Sequence, residues 1–383
     1  MDTRIGIKGL GSVSPLKARS SAIYDDAHCF ENLTIKGEHV PIAPVPFSIE
    51  ERIAKKRSSH RKYEALDRSV ILSMLASDMA IEQAGWDGEE VGINVGSSRG
   101  ATHLFESYYK NFLDEGKVPT LTSPTTSLGN LATWVANDLN IKGVAFSHSI
   151  TCSTAMHALL NGIAWLQSGM QKRFLVGGTE APLTDFTIAQ MQALKIYAGN
   201  GVQFPCRAMD LDKKENTFVL GEGAASICIE MGLEPESLAW IQGWGFSQEK
   251  IEHHTSLSEN AECFYNSMKM ACVNVNPEEV DAIIMHAPGT VKGDKAEFKA
   301  IQDLFGDHTP PVTSNKWKIG HTLGASGMLS IEMAVEMINS NRFIDIPYIK
   351  KQDIKGDLNH VLVNAAGFGG NAVSVLVSRN PLR

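Results

Sequence analysis

Val144-Ala145-Phe146-Ser147-His148-Ser149-Ile150-Thr151-Cys152-Ser153-Thr154-Ala155, followed by the almost wholly apolar run Met156 to Leu166, reads as a strand, a thiol-bearing turn and a buried helix. Ala155, Leu159, Leu160, Ile163 and Trp165 are expected to leave that helix no solvated face. The small polar residues around Cys152 are expected to cap its N-terminus. A helix N-terminus lowers a thiol pKa, and the thiolate is the nucleophilic form. A buried cysteine taken alone is usually inert packing, so its assignment depends on the rest of the chain.

The same strand-and-helix alternation runs from end to end. Val91–Gly96 reads as a strand entering the turn Gly96-Ser97-Ser98-Arg99-Gly100, and Phe174-Leu175-Val176 as a strand before a Gly177-Gly178 turn. Ala224–Glu230, Trp240–Trp244, Ala282–Met285, Val361–Val363 and Val373–Val377 are further strands; Ala261–Val273 and Leu323–Ile338 have helical periodicity. Such alternation predicts an α/β protein with covered sheets. Gly232–Ser237, with Pro235, is the expected lobe boundary, dividing 1–233 from 234–383. No persuasive repeat relates the halves. Gly9-Leu10-Gly11 could open a dinucleotide loop, but Ser14 stands where Gly-x-Gly-x-x-Gly needs its third glycine, so that role is rejected.

A chain of 383 residues, 43% hydrophobic and 20% charged, exceeds one ordinary core and is neither disordered nor fibrous. The opening residues lack a signal-peptide layout and no apolar run reaches membrane-spanning length, which predicts a cytoplasmic protein. Cys29, Cys152, Cys206, Cys228, Cys263 and Cys272 show no Cys-x-x-Cys spacing, and reduced thiols are expected. The histidines lack metal-ligand spacing, so no metal site is expected. Net charge of -8 argues against nucleic-acid binding. Against it stands a basic cluster, Lys55, Lys56, Arg57, His60, Arg61 and Lys62; the ordinary explanation is a solvated face, the sharper one a landing patch for an acidic partner.

Two later segments bear on Cys152: Met285-His286-Ala287-Pro288-Gly289-Thr290-Val291-Lys292-Gly293-Asp294-Lys295-Ala296-Glu297 and Asn315-Lys316-Trp317-Lys318-Ile319-Gly320-His321. One cysteine and two histidines in glycine-rich settings after strand-like runs make a candidate nucleophilic site. In this order and spacing the three segments resemble the signatures of β-ketoacyl synthases of the two-histidine type. Arg4–Pro15, Phe218–Ala224 and Asn364–Asn371 resemble further stretches of that family, so the likeness spans nearly the whole chain.

The resemblance implies a thiolase-like fold, two similar halves in a five-layer αβαβα arrangement, with the cysteine on one half and both histidines on the other. It implies a decarboxylating Claisen condensation between an acyl group on Cys152 and a malonyl group carried on the phosphopantetheine of acyl carrier protein, with no other cofactor. Cys152 is then the nucleophile, and the backbone N–H groups of Cys152 and Phe368, flanked by Gly367 and Gly369, form the oxyanion hole, a device that lowers a barrier by roughly 3–4 kcal/mol. His286 and His321 donate to the enolate; Lys316 acts electrostatically on them; Asp294 and Glu297 support the network; Thr290 binds pantetheine; Phe368 also gates the cavity. The acidic carrier protein docks on the basic cluster (Lys55, Lys56, Arg57, Arg61, Lys62). Lys318 has no counterpart and is expected on the surface. A homodimer and a heterodimer with a related ketosynthase-like subunit are equally consistent.

Four positions depart from the pattern. Pro288 replaces a second pantetheine-binding threonine, Ser330 a glutamate that pairs with the lysine, Ala366 an aromatic residue, and no threonine precedes Asn371. These weaken housekeeping fatty-acid elongation and favour a specialised polyketide or polyene pathway. A degradative thiolase needs a second cysteine in the C-terminal half, and nothing beyond Cys272 is one. A chain-length-determining subunit without condensing activity lacks the nucleophile that this chain keeps.

Overall fold

The computed structural model describes residues 4–16, 21–87, 90–232, 237–250, 257–354 and 356–381. The β-branched and aliphatic runs form β1 (Ile5–Val13), β2 (Glu31–Ile35), β3 (Glu38–Ile42), β4 (Val91–Gly96), β5 (Ala145–Phe146) and β6 (Arg173–Glu180). They continue as β7 (Gly223–Met231), β8 (Ala239–Gln248), β9 (Ala282–Ile284), β10 (Val312–Thr313), β11 (His360–Gly367) and β12 (Asn371–Ser378). β2 and β3 make a separate ribbon; the other ten strands join in the order β10-β9-β11-β12-β8-β1-β7-β6-β4-β5. Strands from before residue 232 occupy one side of this order and strands from after 238 the other. β1 links them by pairing antiparallel with both β7 and β8.

Five layers result. The helices Thr154–Gln167 and Ser326–Ser340 pack on each other between the two strand groups, the first against β4 and β6, the second against β11. Met156, Leu159, Ile163, Met328, Ile331, Val361 and Val375 share one buried cluster there. Outside lie Arg68–Ala84 on β1 and β7, and Glu262–Ala271 on β8 and β12. This is the expected αβαβα arrangement.

The outer helices show why the strands carry Gly-x-Gly. A Cβ on Gly11 would stand 2.1 Å from the Ala76 carbonyl oxygen, and one on Gly243 would stand 1.9 Å from that of Ala271. Gly9-Leu10-Gly11 and Gly243-Trp244-Gly245 do the same job on neighbouring strands, letting helix backbone lie directly on the sheet. The two halves thus share a packing device although no sequence repeat relates them.

Several expectations need correction. β6 passes straight through Gly177-Gly178 to Glu180; Gly178 admits Ala155 and Gly324 close to the strand, and Gly177 admits Ala225 and Ser226 of β7. Only Ala145-Phe146 of the run 144–149 pairs as a strand. Ala164 and Gln167 are exposed, so the Thr154–Gln167 helix has a solvated strip at its C-terminal end. Of the expected lobe boundary, residues 233–236 lie outside the described residues. No disulfide joins the six cysteines. Among the described residues no helix is long and apolar enough to cross a membrane. The helix Thr102–Glu115 buries only Thr102 and exposes Phe105, Tyr109, Phe112 and Leu113.

Overpacking at these contacts destabilises a fold by about 1–3 kcal/mol. Gly11→Ala and Gly243→Ala should each lower the unfolding free energy by that order, read as a lower urea midpoint; unchanged midpoints would contradict the close helix-on-sheet contact.

Candidate active site

The Cys152 turn is built by its neighbours. Thr151 is left-handed (φ 46°). Thr154 Oγ1 accepts from the Ile150 N–H at 2.9 Å and donates to the Thr151 carbonyl at 2.6 Å. Ser153, the N-cap residue, makes no capping bond; its hydroxyl donates to Asn371 Oδ1 at 2.6 Å, tying the turn to β12. The small polar residues therefore shape the turn and anchor it instead of capping the helix. Cys152 is buried among Ile42, Ile188, Met191, Phe218, Leu220 and Leu323.

That burial overturns the expected acidic thiol. Loss of hydration pushes the Cys152 thiol up to about 12, with the Glu180 carboxylate adding to the rise; Lys316 and Arg99 oppose it less strongly. The resting group is the neutral thiol, and any role as a nucleophile requires loss of that proton.

β11 brings the Phe368 peptide to this turn. A Cβ on Gly367 would sit 2.0 Å from Thr151 Oγ1, so only glycine permits the approach. Beyond it Gly369 and Gly370 are both left-handed (φ 94° and 72°), and Asn371 Nδ2 donates to the Phe368 carbonyl at 3.3 Å. The Phe368 ring is 38% exposed.

His321 is held through its backbone: its N–H donates to the Val219 carbonyl at 2.7 Å, and its carbonyl accepts from Gly221 at 3.1 Å. The Leu323 N–H donates to His321 Nδ1 at 3.0 Å, which places the ring proton on Nε2. His286 follows β9, with its ring centroid 5.1 Å from that of His321 and the planes at 80°. Its Nδ1 is buried without a partner. Burial, together with the Lys316 charge, keeps both imidazoles neutral well below the usual histidine range.

Lys316 is 1% exposed, and burial brings it down to about 8, with Glu297, Cys206 and Cys152 pulling the other way. It is thus the group whose field reaches the thiol and both rings. Glu297, pushed up to about 7 by burial, accepts from the His286 and Ala287 N–H groups at 2.8 Å each, fixing the loop at left-handed Ala287 (φ 29°). Asp294 accepts from Lys213 Nζ at 2.6 Å and from the Met209, Gly289 and Thr290 N–H groups. Thr290 caps the helix Val291–Phe305 by accepting from Gly293, which leaves its hydroxyl proton for another acceptor.

Two expectations about lysines fail. Lys318 is buried, not on the surface: Nζ donates to the Ala22 carbonyl at 2.6 Å and to that of Asp25, clamping the segment after β1. Lys56 is taken up by Asp78 and Asp138 at 2.7 and 2.5 Å, so its charge is neutralised within the fold. Arg57 bonds the Glu64 carbonyl and Lys62 the Asn137 side chain, while Lys55 and Arg61 stand exposed.

Glu180, at the end of β6, escaped the sequence reading. It is fully buried, pushed up to about 7, and accepts from Ser97 Oγ, the Ser98 and Arg99 N–H groups and the Gly324 N–H at 2.8–3.1 Å. It therefore ties the turn after β4 to the loop that carries His321. A glutamate closing an apolar strand was the available signal.

Comparison with known proteins agrees with this geometry. The family described as "Beta-ketoacyl synthase, N-terminal domain" matches residues 45–234, and its C-terminal domain counterpart matches 238–345. A 3-oxoacyl-[acyl-carrier-protein] synthase 2 of Rhizobium meliloti (strain 1021) is 27% identical over 419 residues, covering 98% of this chain and 99% of the relative. The ishigamide ketosynthase/chain length factor superposes with TM-score 0.87 at 21% identity, covering 99% of this chain and all of that one. A type II PKS ketosynthase solved in complex with its acyl-carrier protein gives 0.84 at 19%, again covering 99% of this chain and all of that one.

A buried lysine brought down to about 8 opposes folding. The unfolded chain binds its proton more tightly, so the penalty is full below pH ~8 and is relieved as pH rises toward 10.5. Lys316→Met should stabilise the fold at pH 7 by on the order of 2 kcal/mol, with the gain shrinking toward pH 10. Denaturation curves at both pH values check this; a destabilised variant at pH 7 would contradict it.

Proposed function

The chain belongs to the β-ketoacyl synthase family and is a condensing acyltransferase, and from that premise we propose that it joins an acyl group on Cys152 to malonyl-acyl carrier protein with loss of carbon dioxide. The observation that carries this reading is the pair of neutral, buried imidazoles 5.1 Å apart, with Lys316 in electrostatic reach of both and of Cys152.

In the first half-reaction the Cys152 sulfur attacks the thioester carbonyl. The oxyanion sits between the N–H groups of Cys152 and Phe368, and the pantetheine thiol leaves with a proton. In the second, the malonyl carboxylate departs as carbon dioxide and the electron pair left behind is held as an enolate. Neutral N–H donors suit this step because they stabilise charge that develops only on reaction. His321 supplies its Nε2–H, and His286 supplies the second donor. The enolate carbon then attacks the Cys152 thioester, sulfur leaves as the thiolate, and it takes up a proton from water to restore the thiol. Lys316 stabilises the anionic stages, while Glu297 and Asp294 hold the loop of His286 and Thr290. Division at 233/234 gives the thiol to one half and both imidazoles to the other.

Pro288, Ser330 and Ala366, together with the fold-level likeness to polyketide-type ketosynthases, favour a specialised polyketide or polyene pathway over housekeeping elongation. Acyl carrier protein is the proposed partner, approaching exposed Lys55 and Arg61. A second ketosynthase-like subunit, identical or related, would cover Phe105, Tyr109 and Phe112, and the cytoplasm is the expected location. A role as a chain-length subunit alone is disfavoured, because thiol and both imidazoles are retained.

Cys152→Gln should abolish condensation yet retain malonyl decarboxylation, measured as carbon dioxide release from malonyl carrier. Persistence of condensation in that variant would overturn the nucleophile assignment. The double change Lys55→Glu and Arg61→Glu should raise KM for carrier-bound substrate several-fold without altering kcat, and the difference should fade at high salt. Equal KM values for variant and wild type would remove this face as the docking site.

A further inference from the structure

The proton that makes His321 a donor is placed by a backbone contact, the Leu323 N–H on Nδ1 at 3.0 Å. Leu323 makes that contact from the left-handed region, at φ 41°. A bulky residue is strained there, and the conformation persists only where neighbouring bonds hold it. One such bond lies on the next peptide. The Gly324 N–H donates to Glu180 Oε2 at 2.9 Å, and the same oxygen takes the Ser98 N–H at 2.8 Å. Oε1 takes the Ser97 hydroxyl at 2.8 Å and the Arg99 N–H at 3.1 Å, so the turn after β4 fixes the carboxylate itself. Close packing seats the same peptide. A Cβ on Gly178 would stand 2.4 Å from the Gly324 carbonyl oxygen, and one on Gly324 would stand 2.5 Å from the Ser98 nitrogen. The partners of Glu180 are three backbone N–H groups and one hydroxyl, so it reaches the imidazole through the chain.

Rotation of Leu323 out of the left-handed region would turn its N–H away from Nδ1. A neutral imidazole carries its proton on either nitrogen, and with the proton on Nδ1 the other nitrogen is an acceptor that cannot donate. We propose that Glu180 is a positioning residue that fixes the tautomer of His321: by holding the Gly324 N–H it keeps Leu323 left-handed and the ring proton on Nε2. Its bearing on turnover rests on the donor role proposed for His321 above.

The test uses full-length protein with isotope-labelled histidine rings, read by nitrogen NMR, with His321→Gln identifying the signals of that ring. Wild type should show a neutral ring protonated on Nε2. Glu180→Met removes every acceptor at this point. Gly324→Ala leaves Glu180 in place but forces the loop off it, because the new Cβ would stand 2.8 Å from Oε2. Each variant should draw the two ring-nitrogen shifts of His321 toward one another as the proton divides between them. Each should also slow carbon dioxide release from malonyl carrier by roughly tenfold or more, with KM unchanged. Glu180→Gln should keep the wild-type shifts, since its oxygen can stay on the Gly324 N–H while its amide faces the Ser97 hydroxyl, which turns to accept. Unchanged His321 shifts in either Glu180→Met or Gly324→Ala would mean that the packing of Leu323 beside Cys152 suffices, and would overturn the inference. So would a wild-type ring protonated on Nδ1, or a Glu180→Gln variant as disturbed as Glu180→Met, which would assign the effect to charge. A wild type with the expected shifts that releases no carbon dioxide would overturn the decarboxylation reading and leave the tautomer assignment standing.

Discussion

Withdrawal of water from Lys316, His286 and His321 is the constraint on which the rest of the site depends. In solvent these three groups would titrate independently. Enclosed together, the ammonium suppresses protonation of both rings, and the rings stay hydrogen-bond donors throughout the ordinary pH range. The enclosure is made by glycines and carboxylates, not by the reactive groups. Gly221 lets the Val219–Gly221 segment run beside Ile319–His321, where a Cβ would meet the Ile319 carbonyl at 2.1 Å. Glu297 and Glu180 each gather backbone N–H groups from loops that would otherwise be loose.

The same burial that favours the donors disfavours the nucleophile. Removal from water and the Glu180 carboxylate push the thiol up by more than Lys316, its own backbone N–H and Arg99 bring it down. The site thus combines neutral imidazoles with a sulfur that stays protonated.

Most of the architecture was legible because buried strands carry continuous apolar runs, such as Val91–Val95 and Val373–Val377, and glycine-rich loops punctuate them. The site was legible through Cys152, His286, Lys316 and His321, whose spacing within short motifs reflects local turns. What stayed hidden depends on partners distant in sequence. Lys56 reads as one charge in a basic run until Asp78 and Asp138 are seen beside it. Lys318 reads as surface until the carbonyls of Ala22 and Asp25 are found around its ammonium. Neither pairing leaves a periodicity to detect.

Ser153 bonds Asn371, and the Thr151 turn rests against Gly367, so the nucleophile's setting is finished by the C-terminal hairpin of β11 and β12. During synthesis the cysteine leaves the ribosome more than two hundred residues ahead of those strands. Until they emerge it has neither the Phe368 peptide nor the Asn371 anchor. The turn that holds the thiol therefore takes its final shape only after the last two strands have been made and paired.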